Sequence, residues 1–376
     1  MLKIALPIVT LTVVLLFIAG RLNSTEQQKT DYPCFTEVDS LMKDATDKAL
    51  IPGGVVCITT SEGIIYNKAF GYRQLTPDTL PMTTDTEFDI ASLSKPVGTA
   101  MALMQLVQDG KINLNYPVQE YLPAFKGDAH VIHLLTHTSG LPAYMNVAAL
   151  EKRFGKGNSK ALIDTIARCP RIAAAGEKET YSCLNYIALQ HIIEAASGIP
   201  FDQYVETHIF QPLGMYSTHY GARSRNIAAT EIPPGDTLPL VGIVHDPLAQ
   251  KMNNGISGNA GLFSTASDLA LLGQFLLRNK QKEVIRMMTS VPDSLQSVTR
   301  HCLGWGKQAV DITYMGTEMS ENAYAHTGYT GTLMAVDPDR DIAVILLTNR
   351  VHPQPKGNIN PLRAAVCNAV IKQIKD

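Results

Sequence analysis

The sequence predicts an α+β protein with an α/β/α arrangement, in which one antiparallel sheet is flanked by helices. Three observations support this prediction. Segments rich in β-forming residues lie near both ends of the chain, a long and mostly helical stretch lies between them, and the two outermost folded segments have helical periodicity. A sheet must bury its apolar face, so we expect strands from both ends to form one sheet covered by the terminal helices, with the helical stretch inserted as a lobe.

The individual elements follow from hydrophobic periodicity and from turn residues. We expect, in chain order, a helix at 34–50, a hairpin of strands 55–60 and 64–72, helices at 97–107, 162–168, 184–196 and 263–277, strands at 301–310, 322–326, 333–337 and 342–349, and a final helix begun by Asn360 and Pro361. Residues 216–260 hold many Gly, Pro, Asn and Asp and are expected to be rich in loops.

The first residues differ from the rest. Residues 4–20 are an almost unbroken apolar run between Lys3 and Arg21, which is typical of a signal peptide or a short membrane anchor. We therefore predict a leader at 1–24 and an exported protein, either periplasmic or anchored by residues 4–20 and facing the periplasm. The folded part is then 25–376, with a sheet lobe at about 31–91 and 290–376 and a helical lobe at about 92–289.

Composition limits the function classes. The 376 residues are 45% hydrophobic and 18% charged with a net charge of −2, and no basic stripe is present, so nucleic-acid binding is not expected. Six cysteines permit disulfides in an exported chain, with 15 connectivities if all of them pair. They are sparse, lack Cys-x-x-Cys spacing and mostly have apolar neighbours, so we expect buried free thiols.

Ser92 and Lys95 are the main candidates for chemistry. The helix at 97–107 is apolar on all sides, which places it at the centre of the fold. Ser92 and Lys95 precede it and are three residues apart, so their side chains share one face of a turn. A lysine activates a serine only if its pKa falls from about 10.4 to roughly 7 to 8, which burial can achieve. A second Ser-x-x-Lys, Ser40 to Lys43, lies in an amphipathic segment and is interpreted as a solvated helix face.

Five segments, taken in order, resemble the signature segments of the serine β-lactamase-related family, which includes class C β-lactamases, D-alanyl-D-alanine carboxypeptidases and related esterases. They are Phe88-Asp89-Ile90-Ala91-Ser92-Leu93-Ser94-Lys95, His133-Leu134-Leu135-Thr136-His137-Thr138-Ser139-Gly140-Leu141-Pro142, Tyr181-Ser182, Gly261-Leu262-Phe263-Ser264-Thr265-Ala266 and His326-Thr327-Gly328-Tyr329-Thr330-Gly331. The resemblance runs from about residue 35 to the C-terminus. It implies a class C β-lactamase-like fold for what would then be a serine hydrolase domain.

The resemblance also implies roles. Ser92 would be the acylated nucleophile, Lys95 its proton acceptor, and Tyr181 the partner base that passes the proton to the leaving group. His326, Thr327 and Gly328 would line the edge strand against which substrate lies. The backbone N–H groups of Ser92 and Tyr329 would form the oxyanion hole. A histidine at 326 titrates near physiological pH, so we expect carboxylate recognition there to weaken as the pH rises.

One residue departs from the family pattern. Cys183 stands where the family usually has the Asn of Tyr-x-Asn, so an amide that would hold the carbonyl of the substrate is replaced by a weakly hydrogen-bonding thiol. This favours ester-like or unusual acyl substrates over efficient β-lactam or peptide hydrolysis. A literal Tyr-x-Asn at Tyr144 to Asn146 lies too near Ser92 for the family spacing, and we interpret it as part of a loop.

Other motifs are less specific. His130, His133 and His137 are spaced like metal ligands, but Leu134 stands where a zinc peptidase has Glu, so we expect structural histidines and no metal. Gly255, Gly258 and Gly261 lack the strand and the Lys-Ser/Thr of a phosphate loop and are interpreted as a turn beside the site. No Gly-x-Ser-x-Gly elbow occurs, and no cofactor is expected.

The sequence leaves alternatives open. The first is an exported serine hydrolase that forms an acyl-enzyme with an ester, an amide or a peptidoglycan-derived D-Ala-type peptide. The second is a catalytically weak penicillin-binding-like protein that binds wall fragments without turnover, and the third is a true β-lactamase. A small-molecule or peptidoglycan-derived acyl substrate is the expected partner, and Trp305 is expected in the core or the pocket wall.

Overall fold

The computed structural model describes residues 34–309 and 313–375. The predicted leader at 1–24, with its apolar run at 4–20, lies outside the described residues. Within the described ranges, none of the helices combines the length and the apolar character that crossing a bilayer requires. The description below concerns the compact unit that begins at Cys34.

Helices and strands alternate in an order close to the prediction. The helices in the described part of the chain are α1 (Thr36–Asp47), α2 (Met101–Gln108), α3 (Val131–Leu135), α4 (Val147–Phe154), α5 (Ser159–Arg168), α6 (Cys183–Ser197), α7 (Phe201–Val205), α8 (Gln211–Leu213), α9 (Pro247–Met252), α10 (Ala266–Arg278), α11 (Glu283–Met288) and α12 (Asn360–Lys375). The strands there are β1 (Gly53–Thr59), β2 (Ile64–Gln74), β3 (Leu80–Pro81), β4 (Phe88–Asp89), β5 (His219–Tyr220), β6 (Leu262–Ser264), β7 (Gly306–Lys307), β8 (Tyr324–Thr327), β9 (Leu333–Asp337) and β10 (Ile342–Thr348).

The main sheet joins the two ends of the chain. Its order is β3-β2-β1-β10-β9-β8-β7, and every neighbouring pair is antiparallel. The central pair is β1 with β10, in the register Val56 with Leu346. A small second sheet, β4-β6-β5, lies beside the nucleophile segment. The predicted sheet built from both chain ends is confirmed.

Both faces of the central strands are buried, and alternate residues belong to different cores. Val56 and Ile58 of β1 pack in one cluster with residues of α1 and α12. Val55 and Cys57 point the other way, into the larger cluster that contains α10 and α2. Because side chains alternate across a strand, one seven-residue strand supplies both cores. The fold is therefore the α/β/α arrangement that the sequence predicts.

The central helical segment is buried along most of its length. Residues Lys95–Ala100 form a wider, π-type turn that runs directly into α2, and every residue from Leu93 to Met104 is buried. Such π-type turns are rare and often occur at functional sites. The prediction of a helix in the middle of the fold is confirmed.

Two predicted elements differ from the structure. The helix expected at 263–277 begins only at Ala266, because Leu262–Ser264 forms β6 and pairs with both β4 and β5. The strand expected at 301–310 is reduced to Gly306–Lys307, because the chain turns at Cys302–Gly304, where the Cys302 N–H donates to the carbonyl of Trp305 at 2.7 Å. Val310 lies outside the described residues. Trp305 is fully buried, as predicted.

The backbone at Gly140 packs so closely against Ala173 that a side chain at position 140 should destabilise the fold, which can be tested by substitution. Its φ is +74°, and a Cβ at this position would lie 2.1 Å from the carbonyl oxygen of Ala173. Gly110 has a similar φ of +70° but open space around it. We expect Gly110→Ala to cost about 1–2 kcal/mol from the left-handed conformation alone, and Gly140→Ala to cost about 3–4 kcal/mol because the clash adds to it. Urea unfolding of both variants checks this; equal losses would contradict the role of the clash.

Candidate active site

Ser92 lies in a strained turn. It occupies a single 3₁₀ turn, Ala91–Leu93, between β4 and the π-type turn. Ala91 has a φ of +47°, a conformation that costs a non-glycine residue about 1–2 kcal/mol. The buried carboxylate of Asp89 holds this turn, because it accepts hydrogen bonds from the N–H of Ala91 at 2.8 Å and from the N–H of His245 at 2.7 Å. Desolvation raises the pKa of Asp89.

Lys95 is the buried amine beside this serine. Its side chain is fully buried, and Nζ lies 2.9 Å from the Ser92 Oγ. Nζ also donates to the backbone carbonyl of Asn259 at 2.9 Å and lies 3.7 Å from the Sγ of Cys183. A carbonyl oxygen only accepts, so at least one proton of the amine is committed to Asn259.

The pKa of Lys95 differs from the expectation. Burial is the largest single influence and lowers it, but the anionic forms of Cys183 and Tyr181 together outweigh burial, and the pKa of Lys95 lies above its ordinary value. The expected fall towards neutrality is therefore wrong. The reason is that Cys183 and Tyr181 lie close to the amine. The spacing of Ser92 and Lys95 in the sequence does not reveal these neighbours.

Tyr181 is positioned by hydrogen bonds on either side of it. The Thr180 N–H donates to the carbonyl of His137 at 2.8 Å, and the Ser182 N–H donates to the Nδ1 of the same histidine at 3.0 Å. Ser182 is the N-cap of α6 and accepts from the Leu184 N–H. The ring of His137 lies against the Tyr181 ring, with 4.4 Å between centroids and an angle of 34° between the ring planes. The segment around His137 thus braces the tyrosine.

The phenol of Tyr181 lies close to the Ser92 hydroxyl and the Lys95 amine. Lys95 Nζ lies 5.0 Å from the centroid of the Tyr181 ring. The Tyr181 ring is partly exposed, but desolvation of its hydroxyl raises the pKa of Tyr181, while the charge of Lys95 and hydrogen bonds from Ser92 and Lys95 oppose the rise. One hydroxyl, one amine and one phenol from separate parts of the sequence therefore converge, as the sequence analysis requires.

Cys183 and Asn259 complete the floor of the site. Cys183 is partly buried, and burial raises the pKa of its thiol, although the charge of Lys95 and a hydrogen bond from Asn259 oppose the rise. All six cysteines are free, but the predicted burial holds only for Cys57, Cys302 and Cys367, whereas Cys34 is exposed. Sequence reasoning missed Asn259; the only signal was the cluster Gly255, Gly258 and Gly261, whose turn brings the Gly258 carbonyl within 2.7 Å of Thr99.

The edge of the main sheet passes beside Ser92. β7 pairs with Tyr324 and Ala325 of β8, so His326 and Thr327 have no neighbouring strand on that side within residues 34–309 and 313–375. Gly328 follows, and a Cβ there would lie 2.4 Å from the carbonyl oxygen of Ile90. The side chain of Thr332 donates to the same carbonyl at 3.1 Å. A glycine is thus required for this edge to approach the nucleophile turn.

His326 lies beneath the pocket. It is buried, its Nδ1 faces the Thr327 carbonyl at 2.9 Å, and its ring is 6.0 Å from that of Tyr181. Burial, with the nearby charge of Lys95, holds the pKa of His326 well below its ordinary value. His326 is therefore neutral at physiological pH, and the expected loss of carboxylate recognition as the pH rises is wrong. Desolvation is the physical reason.

This pKa predicts how stability depends on pH. Because the folded state binds fewer protons at His326 than the unfolded state does below about pH 6.5, the free energy of unfolding should fall there by up to about 1.4 kcal/mol per pH unit for this residue. Urea unfolding from pH 7.5 to 5 should show a shallower decline for His326→Asn. His208→Asn, at an exposed site, should leave the slope unchanged. An unchanged slope in His326→Asn would contradict the prediction.

The pocket above these groups has a volume of about 450 Å³ and is lined by Ser92, Tyr181, Thr327, Gly328, Tyr329, Arg350, Gly357, Asn358, Ile359, Asn360 and Arg363. Of the residues predicted to contact substrate, Thr327, Gly328 and Tyr329 line the pocket, whereas His326 and Cys183 do not. The sequence analysis did not identify the two arginines, because nothing in the local sequence indicates which surface arginines a fold brings together.

The remaining motifs have structural roles, as predicted. Lys43 of the second Ser-x-x-Lys is exposed and pairs with Asp47. Tyr144 donates to Asp246 at 3.1 Å, and Asn146 caps α4. His130 is the N-cap residue of α3, and the Nδ1 of His133 accepts from its N–H at 3.0 Å. In the described part of the chain no cluster of His, Cys, Asp and Glu could hold a metal ion.

Comparison with known proteins identifies the family of this chain. Residues 38–368 match the model of the Beta-lactamase family. Proteins of Salmonella enteritidis PT4 and Salmonella typhi, each named "Putative D-alanyl-D-alanine carboxypeptidase", are 34% identical to this chain, and each alignment covers 83% of this chain and 83% of the relative.

Solved structures share the fold. EstCE1, described as a hydrolase with promiscuous acyltransferase activity, is 23% identical, with a TM-score of 0.73 over 89% of this chain and 98% of that one. The octameric penicillin-binding protein homologue of Pyrococcus abyssi is 24% identical, with a TM-score of 0.70 over 88% of this chain and 75% of that one. The family match spans most of the chain and the relatives exceed 30% identity over most of it, so this chain is a serine hydrolase that belongs to the Beta-lactamase family.

Proposed function

We propose that this protein hydrolyses the terminal amide bond of peptidoglycan-derived D-alanyl peptides through an acyl-enzyme on Ser92. The observation that carries the proposal is the contact of Lys95 Nζ with Ser92 Oγ at 2.9 Å, beside the Tyr181 phenol, at the base of a pocket of about 450 Å³. The names of the Salmonella relatives support the choice of substrate.

The first step forms the acyl-enzyme. Ser92 Oγ attacks the carbonyl carbon while its proton passes to the pair formed by Lys95 and Tyr181. Because the pKa of both members is raised, the reactive form is the one in which the pair has lost one proton, and the two side chains titrate together. The negative charge that develops on the substrate oxygen is stabilised by the N–H groups of Ser92 and Tyr329.

The remaining steps return the proton. The Lys95–Tyr181 pair protonates the leaving amine, which departs as the C–N bond breaks. A water molecule then attacks the ester of Ser92, with the same pair accepting its proton, and the free serine is regenerated. Lys95 Nζ lies 2.9 Å from the Ser92 Oγ, so it stabilises negative charge on that oxygen whenever the proton of the pair resides on the amine.

A second candidate, an esterase or acyltransferase, is favoured by one observation. Cys183 replaces the expected amide, and a thiol holds a substrate carbonyl only weakly. Esters need less help from such a contact because their leaving groups depart more readily.

The effect of Cys183 can be measured. We expect Cys183→Asn to raise the ratio of amide to ester turnover by about tenfold, because the asparagine side chain is longer than the thiol, which does not line the pocket, and its amide would donate a hydrogen bond to the substrate carbonyl. The ratio of kcat/KM for a matched peptide amide and ester is the measurement. Cys183→Ala removes the thiol without adding a donor and should leave the ratio unchanged. If Cys183→Asn behaves like Cys183→Ala, the inference from the missing amide is wrong.

The proposed function is tested by product analysis. Purified protein is incubated with acetyl-Lys-D-Ala-D-Ala, an aryl acetate and a chromogenic cephalosporin in parallel. Release of D-alanine at the highest kcat/KM supports the carboxypeptidase; preference for the aryl ester supports the second candidate. Preferred turnover of the cephalosporin, or no turnover of any substrate, contradicts both.

We also propose that the protein acts outside the cytoplasm, where peptidoglycan lies. The apolar run at 4–20 supports this proposal. Fractionation of cells that produce the full chain tests it, and recovery in the cytoplasm alone would contradict it.

A further inference from the structure

The pocket carries positive charge without a matching acid. Its lining includes Arg350 and Arg363 and no acidic side chain. In the described part of the chain, neither guanidinium forms an ion pair with a carboxylate. Other arginines of this protein do form such pairs, as Arg223 does with Glu206 at 2.7 Å and Arg340 with Asp337 at 2.9 Å. Two unpaired guanidinium groups in one pocket favour an anionic ligand.

Arg363 is occupied by the fold. It is buried, and its Nη2 donates to the carbonyls of Gly328 at 2.7 Å and Thr332 at 2.9 Å, while its Nη1 donates to Asn360 at 2.8 Å. Desolvation, with repulsion from Arg350, lowers the pKa of Arg363 to about 10. This arginine ties α12 to the turn after β8, because Nη2 binds two backbone carbonyls and Nη1 binds the side chain of Asn360. Its Nε is buried and has no hydrogen-bond partner in the described part of the chain.

Arg350 is the available arginine. It is partly exposed, and its Nε donates to the Tyr329 carbonyl at 3.0 Å. Nη1 reaches the Gly357 carbonyl only at 3.4 Å, and Nη2 has no partner within residues 34–309 and 313–375. The guanidinium stacks over the Tyr329 ring at 4.8 Å, and the ring of His245 lies against Tyr329 at 5.3 Å between centroids. The Arg350 guanidinium is thus held in one orientation before a ligand binds, and its Nη2 donors are available to the ligand.

We propose that Arg350 is the specificity-determining residue that binds the terminal carboxylate of the substrate, whereas Arg363 serves the turn. This inference rests on the proposed function. In a carboxypeptidase substrate, the terminal carboxylate is separated from the scissile carbonyl only by the amide nitrogen and one α-carbon, so both groups fit in the pocket that Ser92 and Arg350 line together. A guanidinium can hold a carboxylate with two parallel charge-assisted hydrogen bonds.

The first test compares two ligands that differ only at the terminus, acetyl-D-Ala-D-Ala and its C-terminal carboxamide. We expect Arg350→Gln to lower kcat/KM for the acid by about 30-fold or more and to change the carboxamide less than about threefold, with Arg350→Lys between wild type and Arg350→Gln. Arg153→Gln is the control, because Arg153 also stacks on an aromatic ring at 4.8 Å but lies outside this pocket. Equal losses on acid and carboxamide would mean that Arg350 only holds Tyr329, and no loss on either would likewise overturn the proposal.

A second test does not depend on turnover. Binding of the acid and the carboxamide is titrated calorimetrically to Ser92→Ala and to Ser92→Ala combined with Arg350→Gln. We expect the acid to bind about tenfold more tightly than the carboxamide, and the preference to vanish without Arg350. If wild-type protein hydrolyses neither peptide but this preference is present, the proposed function fails and the Arg350 inference stands. If the acid has no advantage, including the case in which neither peptide binds, the Arg350 inference is wrong.

Discussion

Replacement of Ser92 by alanine is expected to abolish covalent labelling by a serine-reactive probe and to lower kcat by about 10⁴-fold or more. The reason is that, within residues 34–309 and 313–375, Ser92 is the one serine or threonine whose hydroxyl contacts the buried Lys95 amine, at 2.9 Å, at the base of the pocket. The measurement is mass spectrometry of the labelled protein together with steady-state hydrolysis of an aryl ester.

The chain supplies a matched control for this experiment. Ser40 belongs to the other Ser-x-x-Lys and lies exposed on α1, where Lys43 pairs with Asp47. Ser40→Ala should retain full labelling and activity. Labelling that persists in Ser92→Ala, or is lost in Ser40→Ala, would show that the acylated residue has been assigned incorrectly. Unfolding midpoints of both variants should match wild type, since neither side chain fills the core.

Tyr181→Phe is expected to lower kcat by about 10²–10⁴-fold, which is the usual contribution of a positioned acid–base group. The ring would keep its contact with His137, so the loss would come from the hydroxyl that Ser92 and Lys95 share. Tyr144→Phe is the control, since Tyr144 belongs to the literal Tyr-x-Asn and binds Asp246 and the N–H of Leu248 instead. It should cost less than about tenfold in kcat.

The pH profile separates this role from a purely structural one. Burial lowers the pKa of Lys95, but the anionic forms of Cys183 and Tyr181 outweigh burial and set this pKa above its ordinary value, while desolvation raises the pKa of Tyr181. We therefore expect kcat/KM of wild type to rise continuously from pH 6 to 9, by up to about tenfold per pH unit. The reason is that the fraction of molecules in which the Lys95–Tyr181 pair has lost one proton increases with pH. His137 and His326 do not change their protonation state in this pH range and so add no further step to the profile, because desolvation keeps the pKa of each well below its ordinary value. A profile that is flat above pH 7, or a Tyr181→Phe variant with wild-type rate and profile, would contradict the role of the pair.

Several features of the site could be predicted from sequence because they depend on local rules. A helix that is apolar on every side must be central, and a Ser and a Lys three residues apart must share a face; both hold in the structure. Repeated alternation identified β9, whose predicted and observed bounds coincide, and β10 to within one residue. The predicted helix at 184–196 lies within α6, whose N-cap in the structure is Ser182, directly after Tyr181.

Other features depend on residues that are distant in the chain. The segment Leu262–Ser264 has the pattern of a helix start, but pairing with Phe88 and His219 makes it a strand. The pKa of His326 follows from burial under Tyr181, which no local pattern encodes. Arg350 enters the pocket only because β10 ends beside the turn that carries Tyr329.

The sequence by itself therefore determined the periodic elements and the sheet formed by both chain ends and indicated Ser92 and Lys95 as candidates, because spacing and hydrophobic pattern act over a few residues. Tyr181 was indicated only by the resemblance to the family. The tertiary structure alone decided where strand pairing overrides a local preference for helix. It also decided which charged side chains line the pocket and in which direction the pKa of each buried group shifts. The physical reason is that desolvation and Coulomb interactions depend on distance in space rather than on separation along the chain.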